Sequence, residues 1–307
     1  MKAPPSGGRF GRGPGKPTDR PADRKDGPPR PPMQGARPQL RAPAGAAPAQ
    51  HQQARPQRSY AAPASPRPPQ TPGGSVWLYG THPVAAALAN PARLLRRLLV
   101  TKEAEATLAD AIRPPWSVSA EIVERGRIDQ LLGRDAVHQG VALLADPLPQ
   151  PSLQQLLERK GPLLVLDQVT DPRNVGAILR SAAAFGVAGV IAQDRHAPEE
   201  TGALAKAASG ALETVPVIKA VNLARTLIAL KAAGLWTVGL AADGAPLRGA
   251  ALKDRRVALV LGAEGAGLRR LTRDTCDEVA GLAMPGSMES LNVSAATTVA
   301  LYELVRQ

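Results

Sequence analysis

Apolar and polar residues fall into regular blocks from Val76 onward, and scarcely at all before it. Val76-Trp-Leu-Tyr79 predicts a strand ending at Gly80. Thr81 suits a helix cap with Pro83 in the first turn, and the helix runs through Val84–Leu88 until Asn90-Pro91 stops it. Leu98–Thr101 reads as a strand, Ala104–Ile112 as a helix and Val118–Val123 as a strand. Arg127–Leu132 follows as a short helix and Gly140–Ala145 as a closing strand. This alternation predicts a small α/β domain over residues 76–146. Asp146-Pro-Leu-Pro-Gln-Pro151 then opens a stiff linker, 147–160, which includes a short helix begun at Ser152.

From residue 161 the strands change character and become apolar throughout. Leu163–Asp167, Val187–Gln193, Val215–Ala220, Leu235–Ala241 and Val257–Leu261 are such runs, with Val279–Met284 a sixth. Helices fit Val175–Phe185, Gly202–Ser209, Leu223–Ala233 and Leu291–Val305. Strands without a polar face belong in a mostly parallel sheet covered by helices on both sides, and such sheets bind ligands at the carboxyl ends of their strands. Residues 161–307 are therefore expected to form a second, larger α/β domain.

Composition changes the picture at the other end. Residues 1–75 hold 13 Lys and Arg against 3 acidic residues, whereas the rest of the chain holds 25 against 23. The net charge of +12 therefore resides mostly in this segment, which also contains 18 of the 31 prolines. So few aliphatic residues cannot offset ordering entropy, so a disordered basic tail is expected, with polyanions and above all nucleic acid as its natural partners. No apolar run near Met1 resembles a signal-peptide core, and none could span a membrane, so a cytoplasmic protein is expected. The single cysteine, Cys276, leaves no internal disulfide and no multi-cysteine metal site, and reads as a satisfied structural thiol, not a nucleophile. His51, His82, His138 and His196 lack metal-ligand spacing and are assigned structural or surface roles; no metal is expected.

Three segments could carry chemistry. After the strand ending at Asp167, Asp171-Pro-Arg-Asn174 is a turn in which Asn174 suits a helix N-cap. In the helix beyond, Val175, Ile178, Leu179 and Ala182 form the buried stripe, with Arg180 off it and able to hold a phosphate or carboxylate. Gly262-Ala-Glu-Gly-Ala-Gly267 allows close backbone approach and offers one carboxylate, Glu264. Its glycine order fits neither a dinucleotide fingerprint nor a phosphate P-loop, which argues against a nicotinamide oxidoreductase. Ser290-Leu-Asn-Val-Ser294 opens the last helix, with Ser290 a natural N-cap. Ser290 lacks the surroundings of a hydrolase nucleophile.

In this order the segments Asp171-Pro-Arg-Asn-Val-Gly-Ala-Ile-Leu-Arg180, Leu261-Gly-Ala-Glu-Gly265 and Ser290-Leu-Asn-Val-Ser294 with Leu301-Tyr-Glu303 resemble the three motifs of the SpoU/TrmH-type RNA ribose methyltransferases of the SPOUT superfamily. The resemblance covers about residues 163–307. Leu78-Tyr-Gly-Thr-His82 and His138-Gln-Gly140 resemble that family's substrate-binding domain, related to L30-like RNA binders. Asn222-Leu-Ala-Arg-Thr226 and Arg269-Arg-Leu-Thr-Arg273 make the chain most similar to the branch that methylates a guanosine in the peptidyl-transferase loop of 23S rRNA.

The resemblance implies a SPOUT-type sheet whose C-terminal segment is tied as a deep trefoil knot, although knots are nearly absent from proteins generally. It implies S-adenosylmethionine as cofactor, held by Gly262, Leu282 and Leu291, and a site lined by Asn174, Arg180, Glu264, Ser290 and Asn292. Arg180 is assigned to the substrate phosphate or hydroxyl, Asn174, Ser290 and Asn292 to positioning, and Glu264 to orienting Arg180 or its loop. The general base is left unassigned, because a guanidinium gives up its proton reluctantly. Here Leu282-Ala-Met-Pro replaces the Ile-Pro-Met more usual in relatives. Expected partners are 23S rRNA or a large-subunit precursor, and a second copy of the chain in a homodimer. A tRNA ribose methyltransferase and a non-catalytic rRNA-binding assembly factor are the competing readings.

Overall fold

The computed structural model describes residues 74–306; the expected tail, 1–75, lies almost wholly outside the described residues. The first unit is a four-stranded sheet made of β1 (Val76–Tyr79), β2 (Leu95–Val100), β3 (Ala120–Ile122) and β4 (Val141–Ala145), in the order β1-β4-β2-β3. β4 runs antiparallel to both β1 and β2, and β3 lies parallel to β2. Helices α1 (Thr81–Ala89), α2 (Lys102–Ala111) and α3 (Arg125–Leu132) complete it. Gly80, with φ of 91°, occupies the N-cap position of α1, so Thr81 is the first helical residue and not the cap. Thr101 caps α2 by accepting the Ala104 N–H at 3.3 Å. His138 is fully buried: Nδ1 accepts the Gly140 N–H at 3.0 Å and Nε2 faces Asp129 at 2.9 Å, a structural role.

The linker is more ordered than its prolines suggest. Ser152 and Gln155 form a reciprocal capping box at the start of α4 (Leu153–Glu158). Its last carbonyls are gathered by Arg256, whose guanidinium donates to Leu157 O at 2.6 Å, Arg159 O at 2.6 Å and Gly161 O at 3.0 Å.

The second unit is a six-stranded sheet built from β5 (Leu163–Leu166), β6 (Gly189–Gln193), β7 (Val217–Ala220), β8 (Trp236–Pro246), β9 (Val257–Leu261) and β10 (Glu278–Gly281). Its order is β10-β8-β9-β5-β6-β7 and every pairing is parallel. β5 and β9 sit at the centre and every one of their residues is buried, as uniformly apolar strands require. The helices are α5 (Pro172–Ala184), α6 (Gly202–Ala208), α7 (Leu223–Ala232), α8 (Arg270–Thr275) and α9 (Val293–Val305). The chain winds outward from β5 through β6 and β7, then crosses to the other side for β8, β9 and β10. The crevice between the carboxyl ends of β5 and β9 is where the winding reverses, the position such sheets use for ligands.

Three expectations need correction. β8 runs to Pro246, well past Ala241, and β10 shifts register against it between Val279 and Ala280. Gly244 makes this possible, since a Cβ there would collide with the Ala280 backbone. The helix α8 was not foreseen; six residues, only Thr272 of them buried, carry too little apolar periodicity to register. The helix caps of α5 and α9 also fall elsewhere, as described below.

Cys276 follows α8, its thiol directed at Thr272 O at 3.3 Å, and burial pushes it up to about 11. At pH 8 this leaves far less thiolate than in an unfolded chain. Iodoacetamide should therefore label native protein about a hundredfold more slowly than protein in guanidinium, reflecting a difference of roughly two pKa units. Equal rates would show the thiol to be accessible. No helix among the described residues is long and apolar enough to cross a membrane.

Candidate active site

The middle of β8 and the carboxyl end of β9 border a cavity of about 480 Å³, lined among others by Gly262, Glu264, Leu282, Ser290, Leu291 and Asn292. Six residues read from sequence in three separate segments thus share one wall. The glycine turn after β9 closes on itself through Ala263 N–H to Gly267 O at 3.1 Å and Gly267 N–H to Ala263 O at 2.9 Å. Gly265 and Gly267 adopt φ of 76° and 65°, a region that side chains disfavour. At Gly262 the constraint is space: a Cβ would fall well inside contact distance of the Gly267 carbonyl and the Leu268 nitrogen.

α5 begins one turn earlier than expected. Asp171 is its N-cap, accepting the Arg173 N–H at 2.9 Å, and Pro172 takes the first helical position, where its missing N–H costs nothing. Asn174 is therefore not the cap but a first-turn residue, which frees its carboxamide. The buried stripe is as read from sequence, joined by Gly176, and Arg180 lies exposed away from it. The cap of α9 is likewise displaced: Asn292, not Ser290, accepts the Ser294 N–H at 2.9 Å. Ser290 lies in the extended approach, exposed on the cavity wall.

Asn174, Asn292 and Glu264 meet. Glu264 Oε1 accepts from Asn292 Nδ2 at 2.7 Å and from Asn174 Nδ2 at 3.2 Å, and Asn292 Nδ2 also reaches Asn174 Oδ1 at 3.0 Å. The capping bond fixes which end of the Asn292 amide is oxygen, so its nitrogen must face Glu264 and Asn174. Of the two roles expected for Glu264, orienting Arg180 or the loop, the structure shows no bond to Arg180; the carboxylate binds the two asparagines. Arg180 makes no hydrogen bond or ion pair among the described residues, and the structure leaves it outside this frame. Leu282 packs against the core on its inner side, while Leu291 is largely exposed to the cavity.

Sequence reading missed Asp167. This carboxylate is fully buried at the end of β5 and accepts from Arg269 Nε at 2.6 Å and Arg269 N–H at 3.1 Å. It ties the chain that leaves the glycine turn to the central strand. An acidic residue closing a wholly apolar run was the available signal, since a buried carboxylate demands a partner. The Leu240–Ala242 wall gave no signal, because small apolar residues are common in every strand.

The site can do two things chemically. Its volume is within the range of small-molecule pockets, about 300–1,000 Å³, and its apolar side chains beside glycine backbone suit a flat heterocycle with polar edges. Its rim carries one carboxylate and two fixed carboxamides, which suit a cationic ligand and a hydroxyl to be aligned. The donor set therefore fits S-adenosylmethionine, and Gly262, Leu282 and Leu291 all line the cavity that would take it.

Comparison with known proteins accords with this reading. A model of the SpoU rRNA methylase family matches residues 161–302, and one for RNA 2'-O ribose methyltransferase substrate binding matches 77–151. The chain is 42% identical over 237 residues to the 23S rRNA (guanosine-2'-O-)-methyltransferase RlmB of Burkholderia sp, covering 75% of this chain and 96% of that protein. It is 41% identical over 239 residues to RlmB of Vibrio cholerae, covering 75% and 96%. Among solved structures it is similar to the SpoU methyltransferase AviRb from Streptomyces viridochromogenes in complex with AdoMet, with a TM-score of 0.64 and 25% identity over 76% of this chain and 90% of that one. A TrmH-family protein from Porphyromonas gingivalis gives a TM-score of 0.59 at 26% identity, with the same coverage. Both units find their counterparts in the same order as the chain, and near-complete relatives align across them: the chain belongs to the SpoU rRNA methylase family.

Proposed function

We propose that the chain is an S-adenosylmethionine-dependent 23S rRNA guanosine 2'-O-methyltransferase. The observation that carries this reading is the Asn174–Glu264–Asn292 frame at the mouth of the cavity, in a chain whose relatives are RlmB enzymes. The reaction would move a methyl group from the sulfonium to a ribose 2'-oxygen, forming an O–C bond at the expense of an S–C bond, with the hydroxyl proton passing to water. The cofactor, when bound, supplies an activated methyl on a good leaving group, so the protein's main task is alignment.

Glu264 holds both carboxamides by one oxygen, so they present fixed donors and acceptors to the incoming hydroxyl at no further ordering cost. Asn174, Ser290 and Asn292 position that hydroxyl. Arg180, with no protein partner among the described residues, is available to a phosphate of the RNA backbone through its planar fork. No residue is assigned as base.

The target is a guanosine in the peptidyl-transferase loop, and the cytoplasm, where ribosomes assemble, is the place of action. Residues 76–146 form the L30-like RNA-binding domain, 147–160 the linker and 161–307 the methyltransferase domain, and the basic segment 1–75 adds electrostatic affinity for RNA. The C-terminal segment forms a deep trefoil knot. In support of it, Gly249 lies so close to the Glu303 backbone that no Cβ fits, as expected of a chain drawn through a tight loop. An experimental structure with α9 outside that loop would reject the knot. The protein is a homodimer through α9, whose Val299, Tyr302 and Val305 are exposed apolar residues. Light scattering at micromolar concentration that returned a monomer mass would exclude the dimer.

The decisive experiment is a map of ribose methylation in rRNA and tRNA from a strain lacking the gene. Loss at a single 23S guanosine is expected. Loss at a tRNA ribose would favour the tRNA enzyme, and an unchanged map would favour a non-catalytic assembly factor.

A further inference from the structure

Arg93 lies between α1 and β2 in the first unit, and its side chain is entirely shielded from solvent. Its guanidinium leaves that unit. Nη1 donates to Glu200 Oε1 at 2.5 Å, Nη2 to Glu213 Oε1 at 2.5 Å and Nε to Glu213 Oε2 at 3.1 Å, both carboxylates belonging to the six-stranded unit. Nη1 also donates to Asp146 O at 2.9 Å, where the linker begins. Asn90 Nδ2 donates to Glu213 Oε2 at 2.8 Å, and the Leu148 N–H to Glu200 Oε2 at 3.4 Å. One cation thus joins the first unit, the linker and the second unit.

Such a network is weak evidence for stability, because desolvating one guanidinium and two carboxylates offsets most of their attraction. It strongly favours one geometry, however, because any other arrangement strands buried charge. Units joined by a linker move relative to one another by default unless their interface is built to prevent it. This interface is so built in two further places. Gly202 at the start of α6 lies against β1 so tightly that a Cβ would meet Tyr79 Cε1 at 2.5 Å, and one at Gly210 would meet Ala86 Cβ at 2.9 Å. Lys206 of α6 donates to Gln139 Oε1, the same oxygen that faces the Thr81 N–H at 3.4 Å. The interface also adjoins the candidate active site: burial raises the Tyr79 phenol, and Arg173, next to Asn174, is close enough to offset part of that rise.

We propose that Arg93 is a positioning residue that locks the four-stranded unit onto the six-stranded unit, so that RNA held by the first presents its target ribose to the Asn174–Glu264–Asn292 frame in one fixed register. This rests on the methyltransferase reading above. Without the lock, the linker would let the first unit wander. Bound RNA would then reach the cavity at a lower effective concentration, although both units stay folded.

The test uses the full chain with Cys276→Ser and nitroxide labels at Asp110→Cys on α2 and Ala232→Cys on α7, both exposed. Electron-spin distance measurements on this parent should give one narrow distribution, and Arg93→Ala should broaden it. In parallel, kcat/KM on a 23S rRNA fragment should fall about tenfold with S-adenosylmethionine affinity within about twofold, as expected when alignment and not the pocket is lost. Arg93→Lys, which keeps the charge but not the fork, should fall between. If Arg93→Ala fails to fold, Arg93→Lys carries the distance measurement in its place, since it removes the fork that spans Glu200 and Glu213 while keeping the buried charge paired. A broad distribution in the parent, an unchanged one in the variant, or broadening without loss of kcat/KM each overturns the proposal. If the parent methylates no RNA, the functional reading fails, while the distance measurement still reports on the lock.

Discussion

Arg180→Ala should abolish methyl transfer while leaving the cofactor site intact. Its side chain is exposed and has no hydrogen bond or ion pair among the described residues, so truncation removes nothing that holds the fold together. If the guanidinium contacts the RNA at the reacting nucleotide, single-turnover methyl transfer should drop by about a thousandfold, the scale of losing an electrostatic or aligning contact at a reacting centre. Calorimetric titration with S-adenosylmethionine should give a Kd within about twofold of the parent, and the melting temperature should not move. Arg180→Lys should recover only part of the rate, because an ammonium cannot make the two parallel bonds of the fork. An unchanged rate in Arg180→Ala would remove this residue from the mechanism.

Gly262→Ala should have the converse phenotype. The added methyl would collide with the Gly267 carbonyl and the Leu268 nitrogen, all backbone, so no flexible side chain can yield. The turn must open, and with it the cavity wall that Gly262 forms at the end of β9. Cofactor affinity should fall by about a hundredfold or more, roughly 2.8 kcal/mol at about 1.4 kcal/mol per decade. Affinity for RNA, measured without cofactor by filter binding, should be little changed. The two variants therefore separate the halves of the site: one loses transfer and keeps cofactor, the other loses cofactor and keeps RNA. Tight cofactor binding by Gly262→Ala would show that the wall can deform without consequence.

The parts of this protein most legible in its sequence were those fixed by burial. β9 lies where its five apolar residues placed it, and the stripe of α5 follows the spacing of Val175, Ile178, Leu179 and Ala182. Helix starts were less legible because capping is a local competition. Asp171 and Asn174 both suit the role, and Pro172 tips the balance toward Asp171 by preferring the first helical position. The same competition favoured Asn292 over Ser290. The error at Asn174 had chemical weight, since without a capping bond its carboxamide is free for Glu264 and Asn292. The members of the site were named from motifs, but the bonds among them were not, because no local rule joins residues 90 and 118 positions apart. Arg93 gave no signal at all: its partners lie 107 and 120 residues away, and an arginine after a helix normally faces water.

The strand order carries a consequence for how this protein is made. β5 is complete at residue 166, yet its inner neighbour β9 is not synthesised until residues 257–261. Through the intervening ninety or so residues, a growing chain on the ribosome carries an apolar central strand with one open edge, a template for wrong pairing. Translation at about 5–20 residues per second keeps that edge open for several seconds. The glycine turn and the segment from Leu282 to Ala296, which line most of the cavity, arrive later still, so the cofactor cannot act as an early nucleus and can reward only a chain that is almost finished. Nascent chains stalled before residue 257 should therefore depend on holding chaperones, and the sensitive window closes as β9 emerges and seals the sheet.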